Sequence, residues 1–458
     1  MKKRYILRGV LGLLLACVLF LSACTYQAPY YLFDAKINEN GELVLTYSDG
    51  REENLGTVVG KDGENGLNGT DGAPGAPGLD GKDGKDGKDG KDGKDGLDGK
   101  DGATVTEGSG AVGAAAQKGL RSTVCITAAY TDQETGKAYG TSGAGVIYRM
   151  NRTAGSAFII TNHHVVYDED SNTRDGISTD IGVFLYGSMY LYNDDDVIRA
   201  TYVGGSAYYD IAVLYIENSD QLRASDAIPV TVADSDDVLP GDTAIAVGNP
   251  EGGSHAVSSG IVSVESEHIQ HVNTAFSSDS MRVIRVDTPI NHGNSGGGLF
   301  NDRGELIGIV NAKIVSHDVE NIGYAIPTAT AVAVANNIID HCFGTSETAV
   351  MRPLLGITIS IEDSKGVYDS EHACMRVEET VVVHEIGATS VMKGKLAVGD
   401  VFVRMSVAGV SKEITRRHHL LDFMLTARVG DTLTYTVLRD GVEHTFSVTV
   451  TASMISKT

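Results

Sequence analysis

The chain has 458 residues, 60 acidic against 37 basic side chains and a formal charge of -23. That charge excludes a nucleic-acid partner, because binding a phosphate backbone needs clustered Lys and Arg to displace counterions. The length calls for about three units, and the 55 glycines are so concentrated in one stretch that it has to be read apart from the rest.

Met1-Lys2-Lys3-Arg4 with Arg8 forms a basic start, and Val10 to Leu21 an apolar run too short for a comfortable membrane span. This is the pattern of a secretory signal over residues 1–23. The run ends Leu21-Ser22-Ala23-Cys24, which resembles a bacterial lipobox. The resemblance implies cleavage before Cys24 and lipidation of its thiol, placing the chain outside the cytoplasm on a lipid anchor. Residues 24–59 hold two alternating runs, Glu42–Tyr47 and Gly56–Val59, with turn signals at Asn40-Gly41 and Asp49-Gly50, so a small β-meander is expected.

From Gly60 to Gly102 every third residue is glycine, with triplets such as Gly81-Lys82-Asp83 nearly verbatim. Only hydrogen fits at the axis of a collagen triple helix, and a flexible linker has no reason to keep glycine in register. Residues 60–104 therefore predict a triple-helical stalk about 130 Å long, which forces three copies of the chain together. The small, polar residues 105–117 read as a linker.

After Gly119 the texture becomes globular. Thr123–Ile126, Gly145–Tyr148 and Ala157–Ile160 begin a series of short β-rich runs that continues to Ile309-Val310, the spacing of an all-β sandwich or barrel. Ala329–Cys342 carries a helical pattern. Gly344-Thr345-Ser346-Glu347 marks a boundary, and a second β-rich unit follows to about residue 452. Cys125, Cys342 and Cys374 are three in number and match no zinc spacing; sequence chooses no disulfide among them.

Gly293-Asn294-Ser295-Gly296-Gly297 lets the backbone turn sharply and presents a serine among amide groups able to form an oxyanion hole. His163-His164 follows the apolar run Ala157–Ile160, and Asp210 leads the apolar run Ile211–Leu214. An Asp at the mouth of a buried strand needs a partner, and the order His, Asp, Ser is that of the chymotrypsin-like triad.

With these motifs, and with Val247-Gly248-Asn249-Pro250, Ser259–Ser263 and Gly323–Pro327, residues 118–452 resemble the HtrA (Deg) family of trypsin-fold proteases. The resemblance implies a mainly β fold: a chymotrypsin-like double β-barrel over 118–345, followed by a PDZ domain over 350–452. It places the base at His164 rather than His163, the nucleophile at Ser295 and the orienting acid at Asp210. The oxyanion is assigned to the amides of the Gly293, Asn294 and Ser295 turn. Pro353-Leu354-Leu355-Gly356-Ile357 matches the PDZ carboxylate-binding loop, so Leu355, Gly356 and Ile357 are expected to hold peptide C-termini. The implied activity is cleavage of unfolded or damaged proteins by a tethered homotrimer, with no metal and no organic cofactor. The competing reading is a surface adhesin or chaperone-like binder built on the stalk and PDZ domain; a complete triad argues against it.

Overall fold

The computed structural model describes residues 32–38, 42–47, 51–57, 110–188, 197–270, 280–312, 322–370 and 372–458. The signal segment, Cys24, the Gly-X-Y stretch and the first part of the linker lie outside the described residues. Two compact units divide after Leu97. In the first, strands β1 (Leu32–Ile37), β2 (Glu42–Tyr47) and β3 (Glu52–Thr57) form an antiparallel sheet in chain order.

The second unit opens with helix α1 (Ala111–Ser122). The expected linker is thus helical from Ala111 onward. Ala115, Ala116 and Leu120 form a buried stripe, and a side chain at Gly119 would run into Val247 and Phe300. Small residues that look like a linker in isolation are what allows this helix to lie flat on a barrel.

Strands β4 (Thr123–Thr131), β5 (Ala138–Asn151), β6 (Ser156–Thr161), β7 (Asp180–Phe184), β8 (Ile198–Ser206) and β9 (Ile211–Ile216) close into a barrel of order β4-β5-β6-β9-β8-β7. Strands β10 (Thr243–Gly248), β11 (Ala256–Gln270), β12 (Ser280–Val286), β13 (Gly298–Phe300), β14 (Leu306–Val310) and β15 (Gly323–Pro327) close a second one in the same winding, β10-β11-β12-β15-β14-β13. Two six-stranded barrels in tandem are the chymotrypsin-like fold that the sequence motifs implied.

The strands read as unbroken apolar runs because both of their faces are covered. In β9, Ala212 and Leu214 point into the first barrel, while Ile211 and Val213 join a cluster between the barrels. In β10, Ala244 and Ala246 fill the second barrel, while Ile245 and Val247 enter that same shared cluster. Helix α2 (Thr328–Cys342) seals it with Ala331, Val334, Ala335, Ile338 and Cys342 at helical spacing.

The chain then crosses through β16 (Met351–Pro353) into β17 (Ile357–Asp369), β18 (Cys374–Ile386), β19 (Val401–Val407), β20 (Val410–Glu413), β21 (Thr432–Arg439) and β22 (Val442–Thr449). These form a sheet of order β17-β18-β19-β21-β22 with β20 on β19, covered by helix α3 (Arg417–Met424). Val381, Val383, Phe402, Met405, Leu420, Leu433 and Tyr435 make its core. The last strand, β23 (Ile455–Lys457), returns to pair with β16. The crossing strand is therefore pinned by the chain's final residues, and Asn337 of α2 grips Met351 through both its N–H and its carbonyl.

The C-terminal sheet domain meets the barrels through Leu425, which is buried in the shared apolar cluster, and through a group of charges. Arg282 of β12, itself buried, donates to Asp236 at 2.7 Å and to Asp422 of α3 at 2.6 Å. Asp236 also receives Lys412 of β20, and Arg416 pairs with Glu265 and Glu379.

Candidate active site

The cleft between the barrels is assembled from three chain segments. Strand β6 ends at Thr161, and the chain tightens into a 3-10 turn, His163–Val165. His164 points its Nδ1 at Asp210 Oδ2, 2.7 Å away, and its backbone N–H donates to Asp210 Oδ1 at 3.0 Å. His163 is turned away and buried beside the rings of Tyr167 and Tyr202.

Asp210 stands at the entrance to β9 with φ +48°, a left-handed conformation unusual for a non-glycine residue. Asn162 Nδ2 donates to its carbonyl at 2.8 Å, and Asn311 Nδ2 crosses from the second barrel to its Oδ2, also at 2.8 Å. Burial pushes the Asp210 carboxyl upward, but the attraction of His164 and its two hydrogen bonds prevail and hold it below the ordinary aspartate range. An ionised, fully bonded carboxylate on Nδ1 fixes the imidazole tautomer and leaves the lone pair on Nε2.

Ser295 lies at the centre of a turn made rigid by its neighbours. Its carbonyl accepts from Ala144 of the first barrel at 2.8 Å, and Gly296 and Gly297 exchange bonds with Val310 of β14. Gly296 takes φ +83°, and a side chain there would strike the Ala144 carbonyl and Thr161 Oγ1. Glycine is required at this position by both conformation and space.

The serine hydroxyl accepts from the Ala312 N–H at 3.2 Å, and its hydrogen bond to His164 is not formed. Catalytic hydrogen bonds commonly tighten only when substrate is bound. The consecutive residues Asn311 and Ala312 thus touch Asp210 and Ser295, tying together groups carried by different barrels. Gly293 has φ +91°, and its N–H and that of Ser295 have no acceptor among the described residues. The Asn294 N–H, by contrast, donates to Asn291 at 3.1 Å, which leaves Gly293 and Ser295 as the pair available to an oxyanion.

Asn162, Asn311 and Ala312 escaped the sequence reading. Their signal is faint: a polar residue just after an apolar strand, as in Val310-Asn311, has many ordinary causes.

Leu355, Gly356 and Ile357 line a separate groove of about 540 Å³ between β17 and α3. Gly356 takes φ +71°, and the N–H groups of Leu355 and Gly356 have no acceptor among the described residues. The wall facing the barrels includes Tyr208, Tyr209, Met281 and Arg282. Asp236, His418 and His419 bring ligand atoms within 4.8 Å of one another, but Arg282 and Lys412 already occupy that carboxylate. Their charge opposes any further cation there.

Double barrels of this winding, with an Asp-bound histidine and a glycine-flanked serine across the cleft, define the trypsin-like serine peptidase class. The Trypsin-like peptidase domain family matches residues 143–309, and the Collagen triple helix repeat family matches 57–121, a span whose last part is the α-helical α1. The Serine protease Do-like HtrA of Bacillus subtilis (strain 168) is 31% identical over 317 residues, covering 66% of this chain and 62% of the relative. Its namesake in Lactococcus lactis subsp. cremoris (strain MG1363) is 31% identical over 322 residues, covering 68% and 71%. A solved structure described as HtrA-type protease AlgW with tripeptide is 25% identical, with a TM-score of 0.47 over 74% of this chain and 96% of that one. The chain belongs to the HtrA family of serine proteases.

Proposed function

We propose that this HtrA-family serine endopeptidase works outside the cytoplasm, lipid-anchored at Cys24, and cleaves unfolded or damaged proteins with Ser295, His164 and Asp210. The observation that carries the assignment is the buried Asp210 carboxylate. It receives His164 from its own barrel and Asn311 from the other, and the residue after Asn311 holds the Ser295 hydroxyl.

His164 Nε2 takes the Ser295 proton as the oxygen attacks a peptide carbonyl, and returns it to the leaving amine. Asp210 keeps the imidazole in the required tautomer and stabilises the imidazolium. The Gly293 and Ser295 amides receive the oxyanion. The C-terminal sheet domain is read as a PDZ domain that captures peptide C-termini with Leu355, Gly356 and Ile357. The Gly-X-Y stretch is read as a trimeric stalk.

The test is digestion of unfolded casein by the full chain and by Ser295→Ala. Activity is expected to vanish in the variant with the circular dichroism spectrum unchanged. Equal digestion by the two proteins refutes the assignment.

A further inference from the structure

The left-handed backbone of Asp210 has to be held from both sides, since a non-glycine residue keeps such a conformation only where its surroundings overdetermine it. On one side, Asn162 holds the Asp210 carbonyl. The other side is Tyr209, whose N–H donates to Ser206 Oγ at 3.4 Å within the barrel and whose phenol is held from outside the barrels. Its phenol accepts a hydrogen bond from Arg352 Nη1 at 3.2 Å, and the Arg352 guanidinium lies 5.3 Å over the ring of Tyr208. The two tyrosine rings meet edge-on at 4.7 Å. Burial, more than any other cause, pushes the Tyr209 phenol up to about 12, so it serves as a neutral acceptor at working pH.

Arg352 is equally well fixed at its own end. It sits in β16, between the grip of Asn337 on Met351 and the bond from Leu354 N–H to the Met454 carbonyl, with β23 paired along it. A rigid strand thus delivers one cation to the two residues that precede the triad's acid.

We propose that Arg352 is a positioning residue for catalysis, acting through Tyr209 on the backbone of Asp210. It touches neither substrate nor reacting atoms. Removing it leaves Tyr209 able to shift and the His164–Asp210 pair poorly aimed, which lowers turnover without weakening substrate binding. Arg352, Tyr208 and Tyr209 also line the groove beside Leu355, so the two residues that precede Asp210 form part of the wall of that groove.

This inference rests on the protease reading, and the experiment separates the two. Steady-state cleavage of a fluorogenic peptide is measured for the wild-type full chain, Ser295→Ala, Arg352→Met, Arg352→Lys, Tyr209→Phe and the Arg352→Met/Tyr209→Phe pair. Active sites are counted with a fluorophosphonate. Wild type without activity refutes the protease reading itself.

With wild type active and Ser295→Ala inactive, Arg352→Met and Tyr209→Phe should each lower kcat about ten-fold at unchanged KM. Arg352→Lys should recover most of the loss. The pair should be no worse than about two-fold below the poorer single variant, because both remove the same contact. Wild-type kcat in Tyr209→Phe, which keeps the ring and deletes only the acceptor, overturns the proposal even if Arg352→Met fails to fold. Multiplying losses in the pair overturn it as well.

Discussion

Replacing Arg282 by Met removes the cation that two mostly buried carboxylates, Asp236 and Asp422, share and keeps most of the side chain's length. Asp236 retains Lys412, but Asp422 loses the guanidinium that donates to it at 2.6 Å. Burial already holds the Asp422 carboxyl above the usual range with Arg282 in place. Without that partner, the cheapest course for Asp422 is to take up a proton. Protonating a carboxyl of ordinary pKa costs about 4 kcal/mol at pH 7 and about 1.5 kcal/mol at pH 5, at about 1.4 kcal/mol per unit.

The expected destabilisation is therefore about 3–5 kcal/mol at neutral pH, the range for breaking a buried ion pair by removing one partner. The folded variant binds a proton that the unfolded chain does not, so its deficit must shrink as pH falls toward the unfolded carboxylate range. Asp422→Asn in the same background supplies a permanently neutral group, and should recover most of the loss and abolish its pH dependence. Urea unfolding followed by far-ultraviolet circular dichroism suits a chain with no tryptophan. A deficit as large at pH 5 as at pH 7, or a double variant no better than Arg282→Met, would show that Asp422 is not the group left unpaired.

Gly296→Ala is expected to cut casein cleavage by about 100-fold or more, because its side chain would meet the Ala144 carbonyl at a left-handed φ; near-normal cleavage would show that this turn does not set the nucleophile. His419, whose side chain is mostly buried, is held down to about 4, first by burial and then by the nearby Lys412 and Arg282 cations, against the opposing pull of Asp236. In the unfolded chain it titrates near 6.5, so the stability it permits is fully present above about 6.5 and is lost as pH falls toward 4. Melting temperatures between pH 7 and 4.5 should fall more steeply for wild type than for His419→Gln, and parallel curves would remove this histidine from the account.

Much of the site could be read locally. Ser295 is marked by glycines that its own turn requires, and Asp210 by an acid placed directly before four apolar residues. The barrel strands could be found but not faced, because Ile211–Leu214 is buried on both sides and shows no alternation to betray which residues point inward. The residues 111–117 failed for the opposite reason: their small side chains carry little signal until Val247 and Phe300 are brought against Gly119.

The strand-rich texture, the period-three glycine tract, the motifs around His164, Asp210 and Ser295 and the break before the C-terminal sheet domain are each written in residues within a few positions of one another. That Asn311 meets Asp210, that Ala312 holds the Ser295 hydroxyl and that Arg352 reaches Tyr209 comes from tertiary packing alone. Those partners lie roughly 15 to 145 positions apart in the chain. No local pattern encodes such pairs; they exist because two barrels and a pinned crossing strand pack together in one way.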